Sequence, residues 1–329
     1  MPRFKRALAA AALVSLCACG GTSSPTSPGT STPTPGGGTT VTPQPIWVVL
    51  FTHIEDNTPT GTIPSGANRT AYMRLREALI EMAVMARSRG VKWSLQPDWK
   101  FLVAAEEYES ATVMSDTGGV NVVRYLRDQL GVAIDPHSHE NGGYNYTDVA
   151  YLLDRLGVGG STVIGGHIWD PSLPQFQEWD RFRSAVAGQR FPSFSWRGDI
   201  LMGAGTPNHT NDPIISGVWR PRSRSDFFTD DSSGNIASVG AYRSDIDGIT
   251  TLYNLYGAGT VTSSCMLTSS YHITPSALTA SGGIAAIERD VVGPVASLKA
   301  QGKAEATDFA TLVSTWRSRY GSSSCTYRN

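Results

Sequence analysis

The chain has 329 residues, with 27 Lys and Arg against 28 Asp and Glu, for a formal net charge of −1. That balance excludes the clustered basic excess with which a nucleic-acid surface neutralises phosphates. Hydrophobic residues at 40% and charged residues at 17% exclude wholesale disorder, because such a chain buries enough apolar surface to offset the entropy of ordering.

Arg3, Lys5 and Arg6 form a basic start, and Ala7 to Leu16 follow as an apolar run. That run falls short of the roughly 20 residues a bilayer-spanning helix requires and has the proportions of a signal-peptide core. Leu16-Cys17-Ala18-Cys19-Gly20 then resembles the bacterial lipobox, in which a small residue precedes a cysteine that takes lipid on its thiol. Residues 1–19 thus read as a lipoprotein signal peptide with Cys19 as acceptor. Cys17 fits less well because Leu16 precedes it, and an ordinary secretory signal cleaved nearby is the alternative. Gly20 rather than Asp at the next position resembles cargo bound for an outer membrane, where the source has one. Residues 20–45 are mostly Ser, Thr, Pro and Gly, a composition with almost nothing to bury that stays extended as a tether. The expectation is a domain of residues 46–329 held by a lipid anchor in a bacterial cell envelope, facing periplasm or exterior. No later segment reads as transmembrane. With the signal removed and Cys19 lipidated, Cys265 and Cys325 remain. In an exported chain they are candidates for a disulfide, with two free thiols as the alternative.

Ile46 to Phe51 is a continuous apolar run, the pattern of a strand buried on both faces. Across 68–89, Tyr72, Leu75, Leu79, Met82 and Met85 or Ala86 recur at helical spacing, and Gly90 stops the helix. A strand at 91–95, a helix at 119–130 ended by Gly131, and a strand at 132–134 come next. Thr147 caps a helix carrying Val149, Leu152, Leu153 and Leu156, and a strand at 161–164 follows. Between 170 and 260 the pattern loosens into long polar loops with candidate strands near 192–196, 217–220 and 236–241. A strand near 264–271 precedes helices at 283–300 and 307–320, the last with Phe309, Leu312, Val313, Trp316 and Tyr320 on one face. Such alternation favours a parallel sheet with helices outside it, as an open doubly wound sheet or a barrel. Neither GxGxxG nor GxxxxGK with Ser or Thr follows the first strand, so a nucleotide-phosphate cradle has no support.

Of the six histidines, His53 follows the first strand, His137 and His139 the third, His167 the fourth and His272 the late strand, while His209 lies in a loop. Ligands in parallel α/β folds collect at the carboxyl ends of strands. A divalent metal such as zinc takes imidazole nitrogen and carboxylate oxygen, and a catalytic site keeps a position open for water. His137 and His139 point the same way on an extended segment, and Asp56 from a neighbouring strand end completes a three-ligand face, with Glu55 beside it as base. A hydrogen-bonded loop pair is the alternative for the two histidines. The set suits zinc, with cobalt, nickel or manganese as other candidates. Asp135 is placed to accept a ring N–H from a ligating histidine. His53 is either a further ligand or a hydrogen-bond partner of the two acids. Tyr144, Tyr146, Trp219, Tyr271 and the group His167, Trp169 and Asp170 are candidates for a sugar-binding wall, and Asn208 to Asp212 read as turns.

Ile54-Glu55-Asp56-Asn57 after a first buried strand resembles the first motif of NodB-type polysaccharide deacetylases, the family-four carbohydrate esterases, which reads Phe-Asp-Asp-Gly. The resemblance implies Glu55 as catalytic base and Asp56 as metal ligand. His137-Ser138-His139 resembles the short form of the second motif, implying two metal-ligating imidazoles. Trp196-Arg197-Gly198-Asp199 resembles the third motif, whose arginine orients the base, and Arg220-Pro221 competes for that match. Leu267 through His272 resembles the late motif, whose histidine is the general acid. The departures are Glu for Asp as base, Asn57 for glycine, and the lack of Arg-x-Pro in the third motif. Across residues 46–320 the resemblance implies a distorted (β/α) barrel of about seven parallel strands.

The implied chemistry is metal-dependent removal of acyl, chiefly acetyl, groups from a cell-envelope or extracellular polysaccharide, peptidoglycan-like glycans included. The metal polarises the carbonyl, Glu55 takes a proton from water, and His272 protonates the departing amine. Arg197 keeps Glu55 ionised. The implied partners are the glycan and, through the lipid, a membrane. A non-catalytic glycan-binding barrel that keeps the metal pocket is the competing reading, as is another metal-dependent amide or glycoside hydrolase. An amidohydrolase-type barrel fits less well, because its His-x-His pair lies on the first strand.

Overall fold

The computed structural model describes residues 42–166, 178–202, 215–242 and 246–328. The signal segment with Cys19, most of the tether, His167, Trp169, Asp170 and the stretch from Asn208 to Asp212 lie outside the described residues. Among the described residues, no helix is long and apolar enough to cross a membrane.

In chain order the first half holds β1 (Ile46–Ile54), α1 (Gly66–Ser88), β2 (Trp93–Pro97), α2 (Trp99–Tyr108), α3 (Val122–Leu130), β3 (Ala133–Ile134), α4 (Tyr146–Arg155) and β4 (Val163–Ile164). Short strands follow: β5 (Val186–Ala187), β6 (Ser195–Trp196), β7 (Ile200–Met202), β8 (Ile215–Trp219) and β9 (Ala237–Val239). The last part holds α5 (Ile246–Gly257), β10 (Thr268–His272), α6 (Pro275–Thr279), α7 (Gly283–Ile287), α8 (Gly293–Ala300), β11 (Ala304–Ala306), α9 (Phe309–Arg319) and β12 (Cys325–Arg328).

All nine residues of β1 are buried because the strand has a covered layer on each face. Val48 and Leu50 pack with Tyr72, Leu75, Leu79 and Met82 of α1. Trp47, Val49 and Phe51 join an inner cluster with Phe309, Leu312, Val313 and Trp316 of α9. Both helical faces are those the sequence spacing predicts. Helix ends follow capping chemistry: the Ser65 hydroxyl accepts the Asn68 N–H at 3.2 Å to start α1. Asn145, not Thr147, caps α4, in a reciprocal box with Asp148. The single helix expected over 283–300 divides into α7, a π turn at Glu288–Val292 and α8. Pro294, which has no N–H to donate, stands at the start of α8.

Among the described residues the strands do not close into the barrel expected from the sequence. They form two five-stranded sheets and a small β5–β6 pair. In the first sheet β10, β1, β2 and β3 are parallel neighbours, and β11 also pairs with β1. In the second, β4, β7 and β9 are parallel, whereas β8 runs antiparallel to both of its neighbours, β9 and β12. Two seams separate the sheets, and each has a physical cause. At the β3–β4 seam Pro136 follows β3 and lacks a ladder donor. Beyond Pro136 a single bridge, His137 to Gly165, joins the β3 and β4 ends.

At the other seam side chains replace the ladder. The Thr268 hydroxyl accepts the Gly217 N–H at 2.8 Å and donates to the Gly240 carbonyl at 2.7 Å. The Ser216 hydroxyl accepts the Thr268 N–H and donates to the Thr268 carbonyl, both at 2.8 Å. Cys265 and Cys325 are joined in a disulfide with Cα atoms 5.3 Å apart, across the same seam. Thr268→Val keeps the shape but leaves a buried N–H and carbonyl unpaired. It should lower unfolding free energy by about 2 kcal/mol, measured as a fall in the urea midpoint at unchanged slope.

Candidate metal centre

The carboxyl ends of β1, β2, β3 and β10 bring His53, Gln96, His137 and His272 to one place. Strand alternation sets their direction. On β1 the odd positions 47, 49 and 51 face the inner cluster. His53 continues that series, its ring 4.9 Å from Phe51, and Glu55 follows one residue past the strand. His53 and His137 stack at 4.2 Å with planes 10° apart. His272 pairs in register with Phe51, stacks on its ring at 5.1 Å, and lies 4.9 Å from the His53 ring. The His53 backbone N–H donates to His272 Nε2 at 3.4 Å.

One oxygen is the focus of the cluster. Glu55 Oε2 lies 2.9 Å from His137 Nε2 and 3.0 Å from His139 Nε2. The other nitrogens of both rings are committed elsewhere. His137 Nδ1 donates to the Gly165 carbonyl at 2.9 Å, and His139 Nδ1 to Asp56 Oδ1 at 3.3 Å. Carbonyl and carboxylate oxygens only accept, so each Nδ1 carries its proton, and a neutral ring then turns the Nε2 lone pair on Glu55. Lone pairs facing one another at this distance require a cation, either a proton on each ring or a metal ion.

His53 completes the arrangement from the other side. Its Nε2 donates to Gln96 Oε1 at 2.8 Å, while the Gln96 amide donates to Asp135 Oδ2 at 3.5 Å and the Ser161 hydroxyl to Asp135 Oδ1 at 2.6 Å. The neutral His53 ring therefore keeps its Nδ1 lone pair. His53, Glu55 and His137 offer ligand atoms that all lie within 4.8 Å of one another. Two neutral imidazoles, each oriented from behind, and one carboxylate fit a divalent ion such as zinc. Contrary to the sequence expectation, Asp135 does not accept a ring N–H directly; it reaches the His53 ring through Gln96.

The two acids thus stand differently from the resemblance. Glu55 faces the imidazoles, and Asp56, of the opposite parity, lies behind His139, where it also accepts from the Asn141 amide. Of the four, His137 is 2% exposed, Asp56 22%, Glu55 30% and His139 45%, so His139 is the imidazole at the mouth. Arg197 does not join them. It is exposed beyond β6, where Trp196 Nε1 donates to the Ser161 carbonyl and the Asp199 N–H to the Thr162 carbonyl. Those contacts put it at the start of β4 and β7, whereas the imidazoles crowd Gly165 and Gly166 after β4. Arg220 is paired with Asp230 at 2.8 and 3.1 Å. Of the aromatic candidates, Trp219 and Tyr146 are fully buried, the first donating to the Phe227 carbonyl and the second to the Gly165 carbonyl.

Several residues of the site are not anticipated from the sequence. Asp98 is fully buried and accepts the backbone N–H groups of Trp99 at 2.5 Å and His139 at 3.0 Å. Gly166, at φ +71°, lies so close to the rings that a Cβ would sit 2.6 Å from both His137 Nδ1 and His53 Cε1. Asp98 ahead of a helix is a signal the sequence does carry, as is Gln96, a long amide in a strand buried along its length. Comparison with protein-family models finds no match, and neither does comparison with curated proteins.

Charge follows from these contacts. Burial holds His53 well below its ordinary value, helped by His137 and His272. Burial alone would raise Glu55, but hydrogen bonds from His137 and His139 hold it far below the usual carboxylate range. The same bond to Glu55 pushes His139 up to about 9, against burial, and burial pushes Asp135 to about 6. A raised histidine stabilises the folded chain fully below its free value of 6.5 and loses that contribution as pH rises through about 9. A depressed carboxylate contributes above its free value of 4.5 and loses the contribution as pH falls below it. In chelator-treated protein, the melting-temperature advantage of the parent over His139→Asn should therefore decline from pH 6.5 to beyond 9, read by differential scanning fluorimetry.

Proposed function

We propose that the chain is a metal-dependent hydrolase that removes acyl groups, chiefly acetyl, from a cell-envelope or extracellular polysaccharide, as a lipid-anchored envelope protein. The observation that carries this reading is the convergence of His53, Glu55 and His137 within 4.8 Å, with the outer nitrogen of each ring already engaged. His53, Glu55 and His137 would hold the ion, zinc before cobalt, nickel or manganese. The ion supplies Lewis acidity at an acyl carbonyl and an acidified water.

The remaining steps belong to side chains. His139 is the accessible imidazole, and Asp56 behind its Nδ1 holds the ring with Nε2 toward the centre. It takes the proton of the attacking water, and the carboxylate stabilises the imidazolium that results. His272, whose Nε2 accepts the His53 N–H, carries its proton on Nδ1 and offers it as a hydrogen bond to the departing amine or alcohol, which takes the proton that His139 removed from the water. Glu55 in this scheme binds rather than abstracts, taking the ligand role that the deacetylase resemblance gives Asp56, while His139 takes the role of base that it gives Glu55. The buried pair His53 and His137 keeps bulk water from one side of the centre.

Metal analysis of the purified chain, with its variants, tests the scheme. The parent should carry about one equivalent of zinc, and His53→Ala and His137→Ala should carry none. His139→Ala should keep the metal and lose roughly 100-fold or more in acetate release from acetylated glycans. A parent that binds neither zinc nor cobalt sinks the reading. Metal retained in His53→Ala but lost in His139→Ala would move the ligand set to Glu55, His137 and His139.

A further inference from the structure

Asn141 links the Trp99 indole, which the proposed chemistry does not use, to Asp56, which it does. Its Oδ1 accepts the Trp99 indole N–H at 3.1 Å, and its amide donates to Asp56 Oδ2. An indole N–H can only donate, so it selects the oxygen of the Asn141 amide and turns the NH2 toward Asp56. Asp56 then has its other oxygen, Oδ1, for His139 Nδ1 at 3.3 Å. The indole itself has little freedom. It stacks on Tyr144 at 4.8 Å with planes 3° apart, and a Cβ on Gly142, at φ +60°, would lie 2.7 Å from its Cζ2. Asp98 fixes the backbone of both Trp99 and His139. Helix α2 and the segment from His139 to Tyr144 are thereby locked together on either side of Asp56.

We propose that Asn141, oriented by the Trp99 indole, is a positioning residue that holds Asp56 and, through it, keeps the His139 ring turned onto Glu55. The proposal rests on the hydrolase reading only for its kinetic consequence. The chain Trp99, Asn141, Asp56, His139 runs through side chains of three loops that follow β1, β2 and β3, so the accessible imidazole is set by a framework outside the metal pocket. Carboxylate support of this kind restricts an imidazole to one orientation and tautomer.

The test uses the purified chain with Trp99→Phe and Asn141→Ala, and reads how freely His139 turns by peptide-resolved modification with diethyl pyrocarbonate. His139 should react roughly tenfold faster in both variants, the weight of one lost hydrogen bond, while His53 and His137 stay as slow as in the parent. Trp99→Phe keeps an aromatic ring on Tyr144 and removes only the donor, so it reports on orientation even where Asn141→Ala fails to fold. An unchanged His139 rate in Trp99→Phe overturns the proposal. Zinc stoichiometry should match the parent in both variants, and loss of zinc at an unchanged His139 rate also overturns it. On acetylated glycan, kcat should fall in both variants with KM unchanged. A parent inactive on every acetylated glycan sinks the hydrolase reading and leaves the His139 result standing.

Discussion

The Gly165 carbonyl accepts two hydrogen bonds, from His137 Nδ1 at 2.9 Å and from the Tyr146 hydroxyl at 2.6 Å, and so ties β4, α4 and a ring of the candidate metal centre at one atom. Its own N–H reaches back to the Pro136 carbonyl at 3.0 Å. Among the described residues this exchange is the backbone link between the two sheets at the β3–β4 seam. The same contact fixes the His137 tautomer, and with it the direction of the lone pair on Glu55. Closing the seam and building the site are therefore one event. It works only because residues 165 and 166 lack side chains: a Cβ on Gly165 would meet the Pro136 carbonyl at 2.7 Å and Gln96 Oε1 at 2.8 Å.

The two seams divide the labour of the fold. The one beside β10 is held by the Thr268 hydroxyl on the Gly217 backbone, the Ser216 hydroxyl on the Thr268 backbone and the Cys265–Cys325 disulfide. It is covalent, and its hydroxyl bridges lie at the opposite end of β10 from His272. The seam beside β3 is held by little backbone and is where the side chains of the site meet. A sheet that parts on one side gives its strand-end residues room to point at one another, while the reinforced opposite side keeps the two halves from drifting.

Much of this is legible in the sequence, and the failures have specific causes. The apolar run of β1, the stripe of α1, the face of α9, the strand-end histidines and the pair Cys265 and Cys325 follow from spacing and composition alone. Whether Glu55 or Asp56 faces the centre depends on parity, and β1 hides its parity because both of its faces are apolar. Only the extension of the strand through His53 to Ile54 reveals that odd positions point inward. Helices α2, α5 and α6 and strands β5, β7, β11 and β12 are absent from the sequence expectation. The four strands have at most four residues each, too few for a period to register. Arg197 was placed by analogy with an arginine motif, and no contact in the sequence could test that placement. Closure into a barrel fails for a similar reason: strand direction in β8 and β12 comes from chain connections that local pattern does not encode.

The stack of His53 on His137, 4.2 Å between centroids and 10° from parallel, sets a ceiling on how much charge the pocket can store in its rings. Two imidazolium faces in contact repel through low-dielectric space, so the His137 ring disfavours the charged form of His53. A dication held by His53, Glu55 and His137 would face lone pairs and a carboxylate instead. The stack would thus act as a filter on the form in which positive charge enters, favouring charge concentrated on one central atom over the same charge spread over two aromatic faces.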